Sequence, residues 1–352
     1  MKQILSFLMA AVLVFSLIGC VDTTESANAD ASQPVAETAN AGADETSSPA
    51  VQSDTPSEPI VIHVGDLTLY EIVKDAEEKG FFKEEFEADN ITVEISNFQS
   101  GPPELEALAA KDLDFALMGD QPAVQGVASE IGIQVVSGLL DGTQGNFLVT
   151  PSGSGITSPA DLKDKKVGVP VGTTAHQLLL KILEKNGLAV SDIELINLKA
   201  ADIFTSLQTN NIDAAVTFDA STAQAVANGE LIKIADGTGY KQIINVIVAR
   251  TEFLEQYPEI AARFLKVLKK TAEWRDENFE ESLSILATRS SIDKESIRAL
   301  LSSLPPLLAL SDSHKQAILE TAQYLKDNEI ITEDLTAADI FNDSYAKEAG
   351  IL

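Results

Sequence analysis

The sequence predicts an α/β protein whose folded part consists of two similar lobes, each a mixed sheet flanked by helices. Short β-rich runs alternate with amphipathic helices along the chain, which is typical of α/β folds. The folded part also repeats itself weakly, at offsets of 99 and 107 positions. Pro59 to Leu352 is about 294 residues long, enough for two lobes of ordinary size.

The N-terminus has the features of a lipoprotein signal peptide, predicted over residues 1–19. Lys2 precedes an apolar stretch from Ile4 to Ile18, which is short for a membrane span. The stretch ends in Leu-Ile-Gly-Cys, a tetrapeptide that resembles a bacterial lipobox. We therefore expect Cys20 to be the lipidated first residue of the mature chain, anchored to the membrane by two acyl chains. The alternative is an ordinary signal peptide with a chance cysteine.

Cys20 is the single cysteine of the chain. An intrachain disulfide, a CxxC site and a cysteine nucleophile elsewhere are therefore excluded. The other metal-ligating candidates, His63 and His314, are isolated in sequence and give no metal-ligand spacing. No cofactor is expected.

Residues 20–58 are predicted to be a disordered acidic tether. After Cys20 the segment contains no aromatic residue, Leu, Ile, Lys or Arg. Such a composition cannot bury enough apolar surface to offset the entropy lost on ordering. A partner-binding acidic arm is the alternative. The formal net charge of −29 argues against binding of nucleic acid or anionic lipid through a basic patch.

The folded part divides into predicted strands and helices. The strands are expected at Ile60–Val64, Ile91–Ser96, Asp114–Met118, Ile133–Ser137, Lys166–Val169, Ile193–Asn197, Ala214–Thr217 and Ile243–Val248. The helices between them are expected at Tyr70–Lys79, Pro103–Ala110, Thr174–Asn186, Ala200–Thr209 and Ala220–Ala227. From Glu252 to Ala346 the pattern is helical.

The repeat has two registers. At an offset of 99, EALAAKDLDFALMGD from Glu106 aligns with TSLQTNNIDAAVTFD from Thr205. At an offset of 107, Gly65 and Gly172 are each predicted to close a β-run and open a helix, and those helices are predicted to stop at Gly80 and Gly187. The order of elements agrees with both registers, so we predict a structural duplication.

Two similar α/β lobes in one chain predict a clamshell. Lobe 1 is expected to comprise residues 59–143 and 243–352, and lobe 2 residues 144–242, with polar, Gly-containing hinges at 141–146 and 236–242. In open α/β sheets, ligands lie outside the carboxyl ends of the strands. The loops there supply the predicted ligand-binding residues: Asp66, Leu67, Gln99, Ser100, Gly101, Asp120, Gln121, Thr173, Thr174, His176, Phe218 and Asp219.

These loops carry a family likeness. The chain resembles the extracytoplasmic solute-binding proteins of ABC importers, above all the branch serving aliphatic sulfonates, taurine, nitrate and related solutes. The likeness rests on these segments: Gly101-Pro102 with Glu106-Ala107-Leu108, Asp114-Phe115 with Gly119-Asp120, Ser158 to Lys163, Lys166 to Val169, and Gly172 to His176. It implies a type II periplasmic-binding-protein clamshell, monomeric and without catalytic activity. Such a protein captures a small solute and delivers it to a membrane permease.

Two positions depart from the family pattern, and both belong to the predicted pocket. Val171 stands where the family often has Lys, and Phe218-Asp219-Ala220 replaces the frequent Trp-Asp-Pro. The solute therefore need not be the commonest sulfonate of the branch. Nitrate, bicarbonate or a thiamin-precursor pyrimidine are alternatives. The location expected from the likeness is extracytoplasmic, on a Gram-positive cell surface or in a Gram-negative periplasm.

The predicted pocket chemistry begins with helix N-termini, whose free N–H groups and partial positive charge suit a small anion. Thr173 and Thr174 add hydroxyls at one such terminus, although ordinary N-capping is the alternative. Gly101-Pro102 could act likewise in lobe 1. His176 is either a further donor to an oxyanion or a structural residue.

Three aspartates complicate the prediction of a purely anionic ligand. Asp66, Asp120 and Asp219 have no Arg or Lys within their own loops. Asp120 and Asp219 either cap the helices that follow, or at least one of the three faces an ammonium or amine of the solute. Phe218 is either a stacking platform or a core residue.

The alternatives to solute capture are an enzyme and a sensor. An enzyme on the same scaffold would resemble a desulfinase or a pyrimidine synthase, but both depend on cysteine chemistry that Cys20 cannot supply from the anchor. A lipoprotein sensor that reports the solute to a membrane receptor is the second alternative.

Overall fold

The computed structural model describes residues 59–67, 70 and 72–352. The predicted signal peptide, Cys20 and the acidic tether lie outside these residues. Among the helices of the described ranges, none is both long and apolar enough to cross a membrane.

The strands of the described chain form two sheets. They are β1 (Ile60–Leu67), β2 (Ile91–Phe98), β3 (Phe115–Gly119), β4 (Ile133–Asp141), β5 (Phe147–Pro151), β6 (Lys166–Val169), β7 (Glu194–Asn197), β8 (Ala214–Thr217), β9 (Leu231–Asp236) and β10 (Ile244–Arg250). The first sheet has the order β2-β1-β3-β10-β4 and the second the order β7-β6-β8-β5-β9. Each sheet is mixed, because β10 is antiparallel to its neighbours in the first and β5 in the second.

All eight predicted strands are present, with ends that differ by a few residues. Two strands were missed, β5 and β9. Each lies next to a segment that links the sheets, and β9 buries only Leu231 among its six residues. An edge strand with one buried side chain gives little of the alternation from which strands are predicted.

The helices pack on both sheets. They are α1 (Ile72–Glu78), α2 (Phe81–Phe86), α3 (Gly101–Ala109), α4 (Asp120–Ala128), α5 (Thr174–Lys185), α6 (Ala200–Gln208), α7 (Ala220–Ala227), α8 (Thr251–Gln256), α9 (Pro258–Glu277), α10 (Phe279–Ser290), α11 (Lys294–Leu301), α12 (Asp312–Asp327), α13 (Ala337–Ile340) and α14 (Ser344–Glu348). The predicted helical character of the C-terminal third is confirmed. Most of it covers the first sheet, since α9 packs on α1 and α2, and α12 on α4.

The duplication is visible in the strand order, and the offset of 99 marks equivalent positions. Asp114 accepts a hydrogen bond from the backbone N–H of His63 at 2.9 Å. Asp213, 99 residues later, accepts one from the backbone N–H of Lys166 at 2.8 Å. This aspartate therefore joins the start of β3 to β1 in the first sheet and the start of β8 to β6 in the second.

The predicted equivalence of Gly65 with Gly172 is wrong. Gly65 lies inside β1, and its Cα faces Leu113 and Ala116. Gly168 in β6 has the same surroundings, Ile212 and Ala215, so it is the true counterpart. Gly172 lies in the following turn with φ of 82°. Gly65 and Gly168 are 103 positions apart, so this pair falls in neither register of the predicted repeat.

The chain passes between the sheets at residues 142–146 and 237–243, which follow β4 and β9. These segments coincide closely with the predicted hinges. The predicted boundaries of the two lobes stay a prediction.

Candidate functional site

Three helices begin at the boundary between the two sheets. A methyl group on Gly119, just before α4, would overlap with Cγ2 of Thr174 in α5. A methyl group on Gly172, before α5, would lie 3.2 Å from Cγ of Pro102 in α3. Because α3 and α4 belong to the first sheet and α5 to the second, the predicted loops of both sheets meet here. The site is thus formed by three helix N-termini.

The three termini differ in what they offer an anion. In α3 both Pro102 and Pro103 lack an N–H, so this terminus has few donors. In α5 the first turn retains the N–H groups of Thr174, Ala175 and His176. The donor-rich terminus is therefore that of α5.

The hydroxyls of this turn do not cap the helix. Thr173 occupies the N-cap position of α5 but makes no side-chain cap hydrogen bond. Its Oγ1 donates to the carbonyl of Pro170 at 2.6 Å, and Oγ1 of Thr174 donates to Oδ1 of Asn146 at 2.9 Å. The alternative of ordinary N-capping is wrong for both. Each hydroxyl proton is already used within the protein, which leaves the backbone N–H groups as the donors of this terminus.

The two predicted ligand-binding aspartates beside the first sheet have lysine partners that come from outside their own loops. Asp66 lies 3.4 Å from Nζ of Lys74, which is on α1. Asp120 forms a short ion pair with Lys241 and accepts a hydrogen bond at 3.0 Å from Oγ1 of Thr321. Lys241 stands in the segment between β9 and β10, so its position in sequence gives no sign of this pairing.

Asp219 is a helix cap. It is the N-cap residue of α7 and accepts from the backbone N–H of Thr222 at 2.8 Å and from Oγ1 of Thr217 at 3.0 Å. Burial raises its pKa, although these hydrogen bonds pull the pKa in the opposite direction. For Asp219 the capping alternative is confirmed.

Glu104, on α3, is a buried carboxyl with no lysine or arginine partner among the described residues. It is fully buried, and neither of its oxygens has a hydrogen-bond partner among the described residues. Burial, assisted by the nearby charge of Asp66, raises its pKa well above the usual value. Glu104 is therefore a buried acid whose charged form is disfavoured, and the sequence interpretation did not single it out.

The remaining predicted residues have varied surroundings. Leu67 and Gly101 are buried, Ser100 is the N-cap of α3 without a cap hydrogen bond, and Gln99 is exposed. Gln121 is buried, and its Oε1 has no partner within the described chain.

His176 and Phe218 are both half-buried. Burial lowers the pKa of His176, so its imidazole is neutral at pH 7 and has one N–H to donate. Phe218 packs against the core of the second sheet, which favours the core interpretation of this ring.

Comparison with known proteins assigns the fold and the family. The family described as NMT1/THI5 like matches residues 73–282, more than half of the chain. The chain belongs to the NMT1/THI5-like family. Its fold matches the alkanesulfonate-binding protein SsuA from Xanthomonas axonopodis pv. citri bound to MOPS, with a TM-score of 0.73 and 21% identity over 81% of this chain and 99% of that one. The predicted two-lobed periplasmic-binding-protein fold is thereby confirmed.

Two relatives of this NMT1/THI5-like chain carry names that bear on function. The "Putative aliphatic sulfonates-binding protein" of Bacillus subtilis (strain 168) is 29% identical over 276 residues, 78% of this chain and 83% of that protein. The taurine-binding periplasmic protein of Escherichia coli (strain K12) is 26% identical over 252 residues, 67% of this chain and 78% of that protein. The same fold also occurs in the desulfurization enzyme DSZB, at 14% identity and a TM-score of 0.64. Fold alone therefore does not separate solute capture from catalysis.

Sequence reasoning missed several buried polar residues of this site. The phenol of Tyr70 donates to Oδ1 of Asn245 at 2.5 Å, and Asn146 holds Thr174. Asn146 ends the first segment that links the sheets, and Asn245 lies in β10, two residues after the second segment ends. One signal was available: Asn245 interrupts the apolar run Ile243 to Ala249, and a polar residue in a buried strand usually has a specific partner.

Proposed function

We propose that this protein captures a small organic sulfonate between its two lobes and delivers it to an ABC importer, without catalysing a reaction. The observation that carries the proposal is the meeting of helix N-termini from both sheets, with the donor-rich start of α5 among them. Such a terminus favours a fixed negative charge. The names of the relatives support a sulfonate as that charge.

The pairing of the aspartates supports a solute whose binding depends on its anionic group. Asp66 and Asp120 have lysine partners, and Asp219 caps α7. None of the three needs an ammonium of the solute to balance it. We therefore place unsubstituted alkanesulfonates ahead of taurine as the preferred solute.

A thermal-shift panel tests this proposal. Ethanesulfonate, taurine, MOPS, nitrate, bicarbonate and a pyrimidine would be added to the purified protein. A solute that binds only the native state raises the free energy of unfolding by about 2.7 kcal/mol at a hundred times its Kd. We expect a simple sulfonate to give the largest rise in melting temperature. A panel in which no sulfonate shifts the melting temperature would contradict the proposal.

We further propose that Cys20 anchors the protein outside the cytoplasm, close to its permease. The lipobox-like tetrapeptide and the taurine-binding periplasmic relative support this location. In the native host, Cys20→Ser should abolish acylation and move the protein from the detergent phase to the aqueous phase on Triton X-114 partition. A wild-type protein that partitions with the aqueous phase would count against the anchor.

A further inference from the structure

Asn245, the second residue of β10, has a buried side-chain amide whose N–H donor is unpaired among the described residues. The residue is 1% exposed. Its Nδ2 has no hydrogen-bond partner among the described residues. Buried side-chain N–H groups are nearly always paired in folded proteins. An unpaired donor at this place therefore indicates a partner that comes from outside the chain.

Tyr70 fixes the direction of this amide. Its hydroxyl donates to Oδ1 of Asn245 at 2.5 Å. Burial, and then the charges of Glu104, Asp120 and Asp66, raise the pKa of Tyr70 well above its usual value, so the phenol keeps its proton. With Oδ1 held by Tyr70, Nδ2 is turned the other way and lies over Gly142, where a methyl group would come within 2.6 Å of it.

The amide lies beside the N-terminus of α5. A methyl group on Gly119 would overlap with Thr174 and lie 3.6 Å from Oδ1 of Asn245, so both residues pack against the same glycine. A methyl group on Gly142 would be 3.4 Å from Nδ2 of Asn146, the residue whose Oδ1 accepts the Thr174 hydroxyl. Asn245, Asn146 and the first turn of α5 thus form one group at the segments that link the sheets.

We infer that Asn245 binds the solute, its Nδ2 donating to an oxygen of the sulfonate held at the start of α5. This inference rests on the proposed function. It names a residue that makes the binding site prefer an anionic solute. A sulfonate has three oxygens and needs donors from more than one direction. The N–H groups of α5 supply one direction, and Asn245 supplies another from the first sheet.

The test compares Asn245→Asp and Asn245→Ala with the wild type, using ethanesulfonate as the probe in calorimetry. The aspartate has nearly the same shape but offers a negative charge in place of a donor. Because hydrogen bonds to charged groups are strong, we expect the Kd to rise about tenfold to a hundredfold in either variant. Asn278→Asp is the matched control, since Nδ2 of Asn278 donates to the carbonyl of Trp274 at the end of α9. It should leave the Kd unchanged.

A second measurement keeps the inference testable if Asn245→Asp fails to fold. The side-chain NH₂ resonances of Asn245, identified in ¹⁵N spectra by their loss in Asn245→Ala, should shift when ethanesulfonate saturates the wild type. Binding by the wild type with an unmoved resonance, or with an unchanged Kd in a folded Asn245 variant, overturns this inference alone. A wild type that binds no sulfonate overturns the proposed function together with it.

Discussion

At the scale of single residues, the site is governed by how each buried charge is matched. Asp66 and Asp120 have lysine partners, whereas Glu104 has none within the described ranges of the chain. Oε1 of Glu104 would lie 3.0 Å from a methyl group on Gly65, and the corresponding space beside Gly168 is filled by Leu198. The first lobe thus holds a carboxyl where its duplicate holds an apolar side chain. A buried group of this kind stays neutral because desolvation disfavours its charged form.

Glu104 should make the protein less stable as the pH rises. Its pKa is raised in the folded state, so between the unfolded pKa near 4.3 and the folded pKa the native protein binds the extra proton. In that window the contribution of Glu104 to the free energy of unfolding falls by about 1.4 kcal/mol per pH unit. Glu104→Gln should therefore raise the melting temperature at pH 7 and have little effect near pH 4.5.

Glu106→Gln is the control for this measurement. Glu106 is on the same helix and exposed, and its replacement should leave the pH dependence as in the wild type. Equal gains from Glu104→Gln at pH 4.5 and pH 7 would show that the carboxyl is not buried in its neutral form.

Residue identities at the site were only partly predictable. The aspartates were found because they follow strands, where ligands of α/β sheets lie. The lysine partners of these aspartates could not be predicted. Lys241 lies 121 positions from Asp120 in sequence, and Lys74 lies on a helix of ordinary composition. Ion pairs between residues far apart in sequence leave no local pattern. One sequence could therefore show aspartates without a nearby basic residue, but could not identify the lysines that pair with them.

At the scale of elements, the duplication was predictable wherever equivalent residues make the same bond. Asp114 accepts a hydrogen bond from β1, and Asp213 accepts one from the equivalent strand β6, which is why the offset of 99 holds through β3 and β8. The other register fails at its first glycine, because the counterpart of Gly65 is Gly168, 103 positions later, and not Gly172. Gly80 and Gly187 still end their helices, with φ of 72° and 71°.

The start of α7 gives a test of Asp219 at this scale. Asp219→Ala removes the acceptor for the N–H of Thr222 and should lower stability by about 1 kcal/mol. Asp219→Asn retains a capping oxygen, so its loss of stability should be much smaller than that of Asp219→Ala. If Asp219 acts only as a cap, both variants bind ethanesulfonate with the wild-type Kd. A raised Kd in Asp219→Asn at unchanged melting temperature would place this side chain against the solute.

At the scale of the whole molecule, α5 of the second sheet contacts helices of the first sheet and a segment that links the two sheets. Nζ of Lys181, on α5, lies 3.7 Å from the ring centroid of Tyr324 on α12. Lys185, also on α5, donates to the carbonyl of Gly239 in the segment between β9 and β10 at 2.7 Å. The contact of Gly119 with Thr174 lies among them. We propose that these contacts form when the lobes close around the solute.

Closure can be tested at Gly119, where the first lobe leaves no room for a side chain. Gly119 has φ of −74°, which alanine adopts without strain, so Gly119→Ala should fold normally. Its methyl group would overlap with Cγ2 of Thr174 and hold the lobes apart. If only about a tenth of the molecules can then close, the apparent Kd for ethanesulfonate rises about tenfold.

Thr174→Ser provides both the control and the rescue. It removes Cγ2 but retains the hydroxyl that donates to Asn146, so alone it should bind as the wild type does. Combined with Gly119→Ala it should restore the Kd, because the atom that meets the new methyl group is gone. Small-angle X-ray scattering would measure closure as a decrease in the radius of gyration when solute is added. We expect the same decrease in the wild type and the double variant, and a smaller one in Gly119→Ala. Wild-type affinity in Gly119→Ala would mean that the solute binds without this contact between the lobes.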